Sequence, residues 1–281
     1  MKRHARSGGS SRARRSLFTG LTAIIKEIGP CAVAFSGGVD STLLARVCRD
    51  TLGDNAVAVT MVTPFFPARE KRQAREFARA IGIRHMFLTQ PLPAGVRYNP
   101  ADRCYHCKKQ VFGALRRFAA RRGLGAVVEG SNADDRADYR PGARAVKEFG
   151  IRSPLQEAGL TKKDIRRMAR SLGLAAWKKP ALACLGSRFA YGEKLTPARL
   201  GMVERAEEYL RSLGLRQVRV RVHGGMARIE ADPRQFALLA RNGAGIALRL
   251  RRLGFTYVAM DLQGYRTGAM NETIGKGSAR G

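Results

Sequence analysis

Ser36-Gly37-Gly38-Val39-Asp40-Ser41 follows the apolar run Ala32-Val33-Ala34-Phe35 directly and precedes a pattern that favours helix. Strand, glycine-serine loop and helix in that order build an anion site. Glycines let backbone N–H groups close on phosphate, and the helix N-terminus adds a partial positive charge. The loop lacks the Gly-Lys-Ser/Thr ending of a Walker loop, so lysine-assisted transfer of a γ-phosphate is not the chemistry it advertises. An ordinary strand-to-helix turn is the bland reading of so short a string. Its strand–loop–helix setting favours the nucleotide.

Three of the five cysteines sit in chemically suggestive surroundings. Arg103-Cys104-Tyr105-His106-Cys107-Lys108-Lys109 carries a Cys-x-x-Cys pair, which can bind zinc, bind an iron–sulfur cluster or cycle as a redox dithiol. Zinc needs two more ligands, and His106, lying between the cysteines, could not easily join them. A cluster needs further thiolates, for which Cys184 is the candidate; two unmodified thiols at a helix start are the plain reading. Cys184 lies in Lys178-Lys179-Pro180-Ala181-Leu182-Ala183-Cys184-Leu185-Gly186-Ser187-Arg188, with cations on both sides. Nearby positive charge favours the thiolate that a nucleophile or metal ligand requires. Its Ala and Leu neighbours suit a buried loop cysteine equally well. Cys31 and Cys48, among Val, Ala and Leu, are expected to be small buried hydrophobes.

Two polar strings complete the candidates. Glu129-Gly130-Ser131-Asn132-Ala133-Asp134-Asp135-Arg136-Ala137-Asp138 places three Asp carboxylates and an amide just after an apolar run, suited to Mg²⁺ and ribose contacts, although Asp and Asn are also common turn formers. Arg219 and Arg221 alternate along a strand, so both project from one face and could grip a phosphate; a solvated face opposite Val218, Val220 and Val222 is the competing reading.

The elements that must position these residues alternate. A leading helix over Leu17–Ile28 is followed by the first strand and by a helix from about Ser41 to Leu52. Then come strand Ala56–Val62, helix Ala68–Ile81, strand His85–Leu88, helix Cys107–Arg122 and strand Ala126–Glu129. Such alternation predicts a parallel α/β sheet with helices on both faces, binding its ligand at the carboxyl ends of the strands. Thr161–Leu172 is a helix with a capping-box start at Thr161 and Asp164. After Lys178-Lys179-Pro180 the pattern changes to a smaller α+β domain. It comprises helix Thr196–Leu213, a hairpin of Gln217–His223 and Met226–Ala231 turning at Gly224-Gly225, a helical stretch Pro233–Leu253 broken at Asn242-Gly243, and strand Thr256–Leu262. The expected organisation is a disordered basic tail over 1–16, a nucleotide domain over 17–178 and a C-terminal substrate and sulfur-transfer domain over 179–281.

The chain of 281 residues carries a net charge of +30. That excess invites a nucleic-acid reading, but arginine outnumbers lysine 40 to 12 and is scattered through amphipathic helices, as a general arginine bias would produce. The concentrated part, Met1–Ser16, has six Lys/Arg and no acid, the composition of a disordered tail. No apolar stretch approaches a membrane span and no signal-peptide core is evident, so a cytoplasmic location is expected. There an odd, irregular cysteine set argues against a disulfide framework.

SGGVDS resembles the PP-loop of the ATP pyrophosphatases, which cleave ATP between the α- and β-phosphates. The strings SGGVDSTLL, DRCYHCKK, EGSNADDRADYRPG, SPLQEAGLTKKDIR, KPALACLGSRFAYG, RVRVHGGMARIE and DLQGYRTGAMNE together resemble the LarE-type sulfurtransferases, from Leu17 to Glu272. The resemblance implies a PP-loop (adenine nucleotide α-hydrolase-like) fold. It also implies an ATP-dependent activity that adenylates and thiolates pyridinium-3,5-biscarboxylic acid mononucleotide on the way to the nickel-pincer nucleotide cofactor. It points to Ser36, Gly37, Gly38, Asp40, Ser41, Thr63, Gly130, Asn132 and Asp135 for ATP, to Asp40 for Mg²⁺, and to Cys184 as the key thiol. Arg188, Arg219 and Arg221 match positions that face the substrate phosphate. One branch of the family sacrifices the sulfur of the cysteine at the position of Cys184. The other holds a [4Fe-4S] cluster on three cysteines, here Cys104, Cys107 and Cys184, and takes sulfide or another sulfur donor. A homo-oligomer is the expected assembly. A tRNA thiolase and a non-catalytic metal-binding module are the rival classes, and nucleic acid is not the expected partner.

Overall fold

Short β-branched and alanine-rich runs punctuated by Gly and Pro build the first sheet, and the computed structural model describes residues 8–136, 141–180 and 183–266. The chain divides into two compact units, Met1–Pro91 with Asp102–Leu182 and Leu92–Ala101 with Ala183–Gly281. The break falls just beyond the expected residue 178. The short segment Leu92–Ala101, which the sequence pattern assigned to the nucleotide domain, groups with the second unit.

In the first unit, helix α1 (Gly8–Ile28) leads to strand β1 (Cys31–Ala34), followed by helix α2 (Val39–Leu52), strand β2 (Ala56–Val62), helix α3 (Ala68–Ile81), strand β3 (Arg84–Thr89), helix α4 (Arg103–Arg121) and strand β4 (Ala126–Val128). Helices α5 (Pro141–Glu148), α6 (Pro154–Glu157) and α7 (Lys162–Ser171) complete it. The strands are parallel in the order β3-β2-β1-β4, with Cys31 opposite both Ala56 and Ala126. Alternation along the strands divides their side chains between two cores. Cys31, Val33, Ala56 and Ala58 pack with Leu21, Leu43, Leu44, Ala74, Ala78, Leu155 and Ile165, while Ala32, Val57 and Val59 pack with Phe112, Leu115, Ala119 and Ala145. Cys31 and Cys48 are both fully buried, as small hydrophobes are.

Helix α1 begins at Gly8, inside the segment expected as a disordered tail; Met1–Ser7 lie outside the described residues. Arg12, Ala13, Arg14 and Arg15 are good helix formers with no Pro among them, so the helix nucleated at Leu17–Ile28 extends backwards through them. Helix α4 likewise starts at Arg103 rather than at Cys107, which moves the whole Cys-x-x-Cys pair into its first turns.

In the second unit, helix α8 (Pro197–Ser212) precedes the antiparallel hairpin of β5 (Val218–His223) and β6 (Met226–Ala231). Helices α9 (Phe236–Arg241) and α10 (Gly243–Leu253) and strand β7 (Tyr257–Met260) follow, with β7 parallel to β6. His223 and Met226 face each other across Gly224-Gly225, and the positive φ of Gly224 (57°) is one that glycine adopts readily. Val218, Val220, Val222, Ala227, Ile229 and Ala231 are buried on one face, with α8 against β5 and α10 against α8 and β7. Arg219, Arg221, Arg228 and Glu230 share the other face. Among the described residues no helix is long and apolar enough to cross a membrane.

Candidate active site

The loop after β1 is shaped by contacts that only small residues permit. Gly37 has φ +70°, and a Cβ there would come within 3.1 Å of Ala74 Cα on α3. Ser41 in the first turn of α2 closes the loop: its Oγ accepts from Ser36 N at 3.2 Å, lies 3.1 Å from Ser36 Oγ and donates to Gly38 O at 3.1 Å. Gly38 N donates to Ser36 Oγ at 3.3 Å and stands at the N-cap of α2. The α2 N-terminus and the glycine amides thus form a concave set of donors and hydroxyls suited to polyphosphate.

Gly130, just beyond β4, approaches the same helix start: a Cβ there would lie 3.0 Å from Ser41 N and 3.3 Å from Asp40 Cβ. The expected Gly130 and the PP-loop are therefore brought together. Asn132 and Asp135 hydrogen-bond within their own turn. Asn132 N donates to Asp135 Oδ2 and Asp134 N to Asn132 Oδ1, both at 3.0 Å. Lys162 N then donates to Asp134 Oδ2 at 2.9 Å, fastening this turn to the start of α7. Thr63 closes the turn after β2, its Oγ1 accepting from Phe65 N at 3.3 Å. Asp138 lies outside the described residues.

Asp40 is paired through Oδ2 with Lys162 Nζ, while its Oδ1 is buried and has no hydrogen-bond partner. An orphaned, buried carboxylate oxygen is the kind of hard donor that Mg²⁺ takes together with phosphate oxygens and water. The residues present therefore fit that ion.

Three residues of this region were not legible in the sequence as site residues: Lys162, Lys179 and Glu70. Lys179 Nζ stands 2.5 Å from Glu70 Oε2 and donates to Gly37 O at 3.1 Å. Burial pushes the Lys179 ammonium below its ordinary 10.5, against the pull of Glu70. The sequence read Lys178 and Lys179 as a domain break and as cations near Cys184, and Thr161 as a helix cap; neither reading tied Lys179 or Lys162 to the loop. The capping box does form, with Asp164 N donating to Thr161 Oγ1 and Thr161 N to Asp164 Oδ2, each at 3.2 Å.

Cys104 is exposed and Cys107 half-buried, three residues apart and so on one face of α4; neither forms a disulfide. His106 turns back onto Asp102, with Nε2 3.1 Å from Oδ2. Cys184, also half-buried, belongs to the second unit. Among the described residues no three His, Cys, Asp or Glu side chains gather as a metal centre would require. Thiols as a donor type suit zinc and iron–sulfur clusters alike.

The Cys184 segment is held by its carbonyls. Cys184 O accepts from Ser187 N at 3.0 Å, from Ser187 Oγ at 2.8 Å and from Arg188 Nη1 at 3.0 Å. Arg188 is buried and forked onto Glu207, with Nε 2.8 Å from Oε1 and Nη2 3.1 Å from Oε2, and its Nη1 also reaches Ala183 O. All three of its nitrogens thus donate within the unit. Burial pushes Glu207 up, but Arg188, Arg211 and Arg219 outweigh it and hold the carboxyl at about 2.

Arg219 and Arg221 do share a face, yet differ. Arg221 is buried, pairs with the fully buried Glu230 at 2.8 Å and donates to Ser187 O at 2.9 Å, which ties β5 to the Cys184 segment. Arg219 donates to Val218 O at 2.9 Å and lies 5.2 Å from the Tyr265 ring centroid, and among the described residues no carboxylate hydrogen-bonds to it. Burial and the neighbouring Arg188 press its guanidinium below its ordinary value. A bound anion would relieve both costs.

A model of the NAD synthase family matches residues 18–92, the segment that holds the loop. An uncharacterised protein of Synechocystis sp. is 43% identical over 89% of this chain and 95% of its own length. The pyridinium-3,5-bisthiocarboxylic acid mononucleotide synthase of Lactiplantibacillus plantarum is 40% identical over 91% of this chain and 94% of its own. An uncharacterised protein of Methanocaldococcus jannaschii is 28% identical over 84% and 90%. With a parallel sheet, a PP-loop and near full-length similarity to that synthase, the chain belongs to the LarE-type family of ATP-dependent sulfurtransferases.

Proposed function

We propose that this enzyme adenylates a carboxylate of pyridinium-3,5-biscarboxylic acid mononucleotide and replaces the adenylate by sulfur. The observation that carries the reading is the pairing of a PP-loop with similarity, over nine-tenths of the chain, to a relative named for the bisthiocarboxylic product. The loop residues Ser36, Gly37, Gly38 and Ser41 cradle the ATP phosphates, with Gly130 beside them, and Asp40 would hold Mg²⁺, which supplies charge neutralisation for the departing pyrophosphate. A substrate carboxylate oxygen attacks the α-phosphorus, the bond to the β-phosphate breaks, and an acyl-adenylate forms. Sulfur then attacks the acyl carbon, the carbon–oxygen bond to AMP breaks, and a thiocarboxylate remains. Arg219 is the arginine best placed to receive the mononucleotide phosphate.

Cys104, Cys107 and Cys184 are the residues that would hold a [4Fe-4S] cluster, which with three protein thiolates leaves one iron open to carry a sulfide. Supporting this are two solvent-reachable thiols on one helical face and a third on a segment whose backbone is clamped by Ser187 and Arg188.

Pyrophosphate release measured with ATP and Mg²⁺, with and without the mononucleotide, tests the reaction. Release that requires the mononucleotide supports it. Release that responds to tRNA and not to the mononucleotide, or no release at all, overturns it.

A further inference from the structure

Behind the PP-loop lies an ion pair that the reaction as proposed does not use. Lys179 and Glu70 stand 2.5 Å apart with side chains only 9% and 10% exposed. Such a pair is costly to desolvate and contributes little net stability, so its retention beside the loop calls for a purpose. Lys179 Nζ makes one further contact that supplies it, a hydrogen bond of 3.1 Å to the carbonyl of Gly37.

We infer that Lys179 and Glu70 are positioning residues that fix the direction of the Gly37–Gly38 peptide and so aim its N–H at the ATP phosphates, an inference that rests on the nucleotide reading of the loop. In a trans peptide the carbonyl and the following N–H point in opposite directions. With Gly37 O held on Lys179, the N–H of Gly38 faces the other way, towards Ser36 Oγ at 3.3 Å, the hydroxyl-lined side of the loop. A glycine peptide has little side-chain packing to prevent it from flipping, and Gly37 already holds φ +70°. A flip would point a carbonyl at the phosphates and remove a donor.

Lys179 is itself held at both its ammonium and its backbone. Glu70 comes from the first turn of α3, the Phe77 ring centroid on the same helix is 5.4 Å from Nζ, and Arg166 of α7 donates to the Lys179 carbonyl at 3.0 Å. Ala74, between Glu70 and Phe77 on α3, is the residue against which Gly37 packs. Helix α3 and Lys179 thus hold Gly37 from two sides.

The test is binding of α,β-methylene-ATP to the full chain by calorimetry, together with the ATP dependence of pyrophosphate release and the melting temperature. K179M is expected to weaken analogue binding about tenfold or more and to raise the KM for ATP in step, with K179R recovering most of the loss. E70Q, which keeps the shape but frees the ammonium, is expected to fall between them and covers the case in which K179M does not fold. Wild-type affinity in K179M or E70Q, or a lowered melting temperature and active fraction with unchanged affinity, overturns the inference alone. Failure of the wild-type protein to bind the analogue overturns it together with the nucleotide reading.

Discussion

Lys162 and Asp40 meet within the first unit: the ammonium from the first turn of α7 takes one carboxylate oxygen of the PP-loop aspartate and leaves the other buried and unpartnered. A lysine in that position compensates the aspartate charge while the site is open and sits beside any phosphate that arrives. The buried oxygen without a partner is a cost that ligand binding would remove.

Replacing Asp40 by Ala is therefore expected to lower mononucleotide-dependent pyrophosphate release by at least about 10²-fold, the scale of losing one preorganised electrostatic contact, without a fall in melting temperature. A well-folded D40A that releases pyrophosphate at the wild-type rate would remove Asp40 from the reaction.

Arg219 and Arg221 should separate experimentally. R219A is expected to weaken mononucleotide binding by about 1.5–3 kcal/mol, the worth of a charge-assisted hydrogen bond, with little change in stability. R221A leaves the fully buried Glu230 with Arg228, which it shares with Asp261, as its ion-pair partner among the described residues, so its main effect is expected on the melting temperature. Wild-type affinity for the mononucleotide in both variants would assign the strand face to structure alone.

The Arg188–Glu207 fork predicts an acid limit for the second unit. Folding lowers the Glu207 carboxyl from the ordinary 4.5 to about 2, so on acidification the unfolded chain takes up its proton first. The stability this group contributes is full above pH 4.5 and is lost as the pH falls towards 2. Thermal melts over that window should show a steep decline in the wild-type protein and a shallower one in E207Q. R188A, which leaves a buried carboxylate poorly compensated, is expected to cost about 3–5 kcal/mol. Melting profiles of wild type and E207Q that run parallel would contradict the assignment.

For the cysteines, anaerobically prepared protein is expected to contain iron and acid-labile sulfide, and C104A and C107A to lose both along with repeated turnover on added sulfide. Protein without iron that makes one product per chain and carries dehydroalanine at Cys184, detected by mass spectrometry, would show the sacrificial route instead.

The sequence by itself determined the elements and the reaction class. Ser36-Gly37-Gly38 between a strand and a helix, Thr161 with Asp164, and Gly224-Gly225 between alternating strands are local signals, set by backbone sterics and capping within a few residues. The parallel sheet and the hairpin formed where those signals put them. Tertiary structure alone decided which charges met. Helical spacing puts Glu207, unlike Glu204 and Glu208, on the apolar face of α8 with Val203 and Leu210, but only the packed unit supplies the Arg188 fork and the Val220 N–H that meet it there. Arg188, Arg219 and Arg221 read alike as phosphate ligands because a guanidinium carries the same charge wherever it stands. Folding paired two of them with the buried carboxylates Glu207 and Glu230 and left Arg219 without such a partner among the described residues. The same holds for Lys179, which the sequence offered as a cation flanking Cys184 and whose contacts are with Glu70 and Gly37, residues far from it in the chain and adjacent only once α3 and the PP-loop have packed. Electrostatic pairing depends on distance in space, and a linear pattern carries no record of that distance.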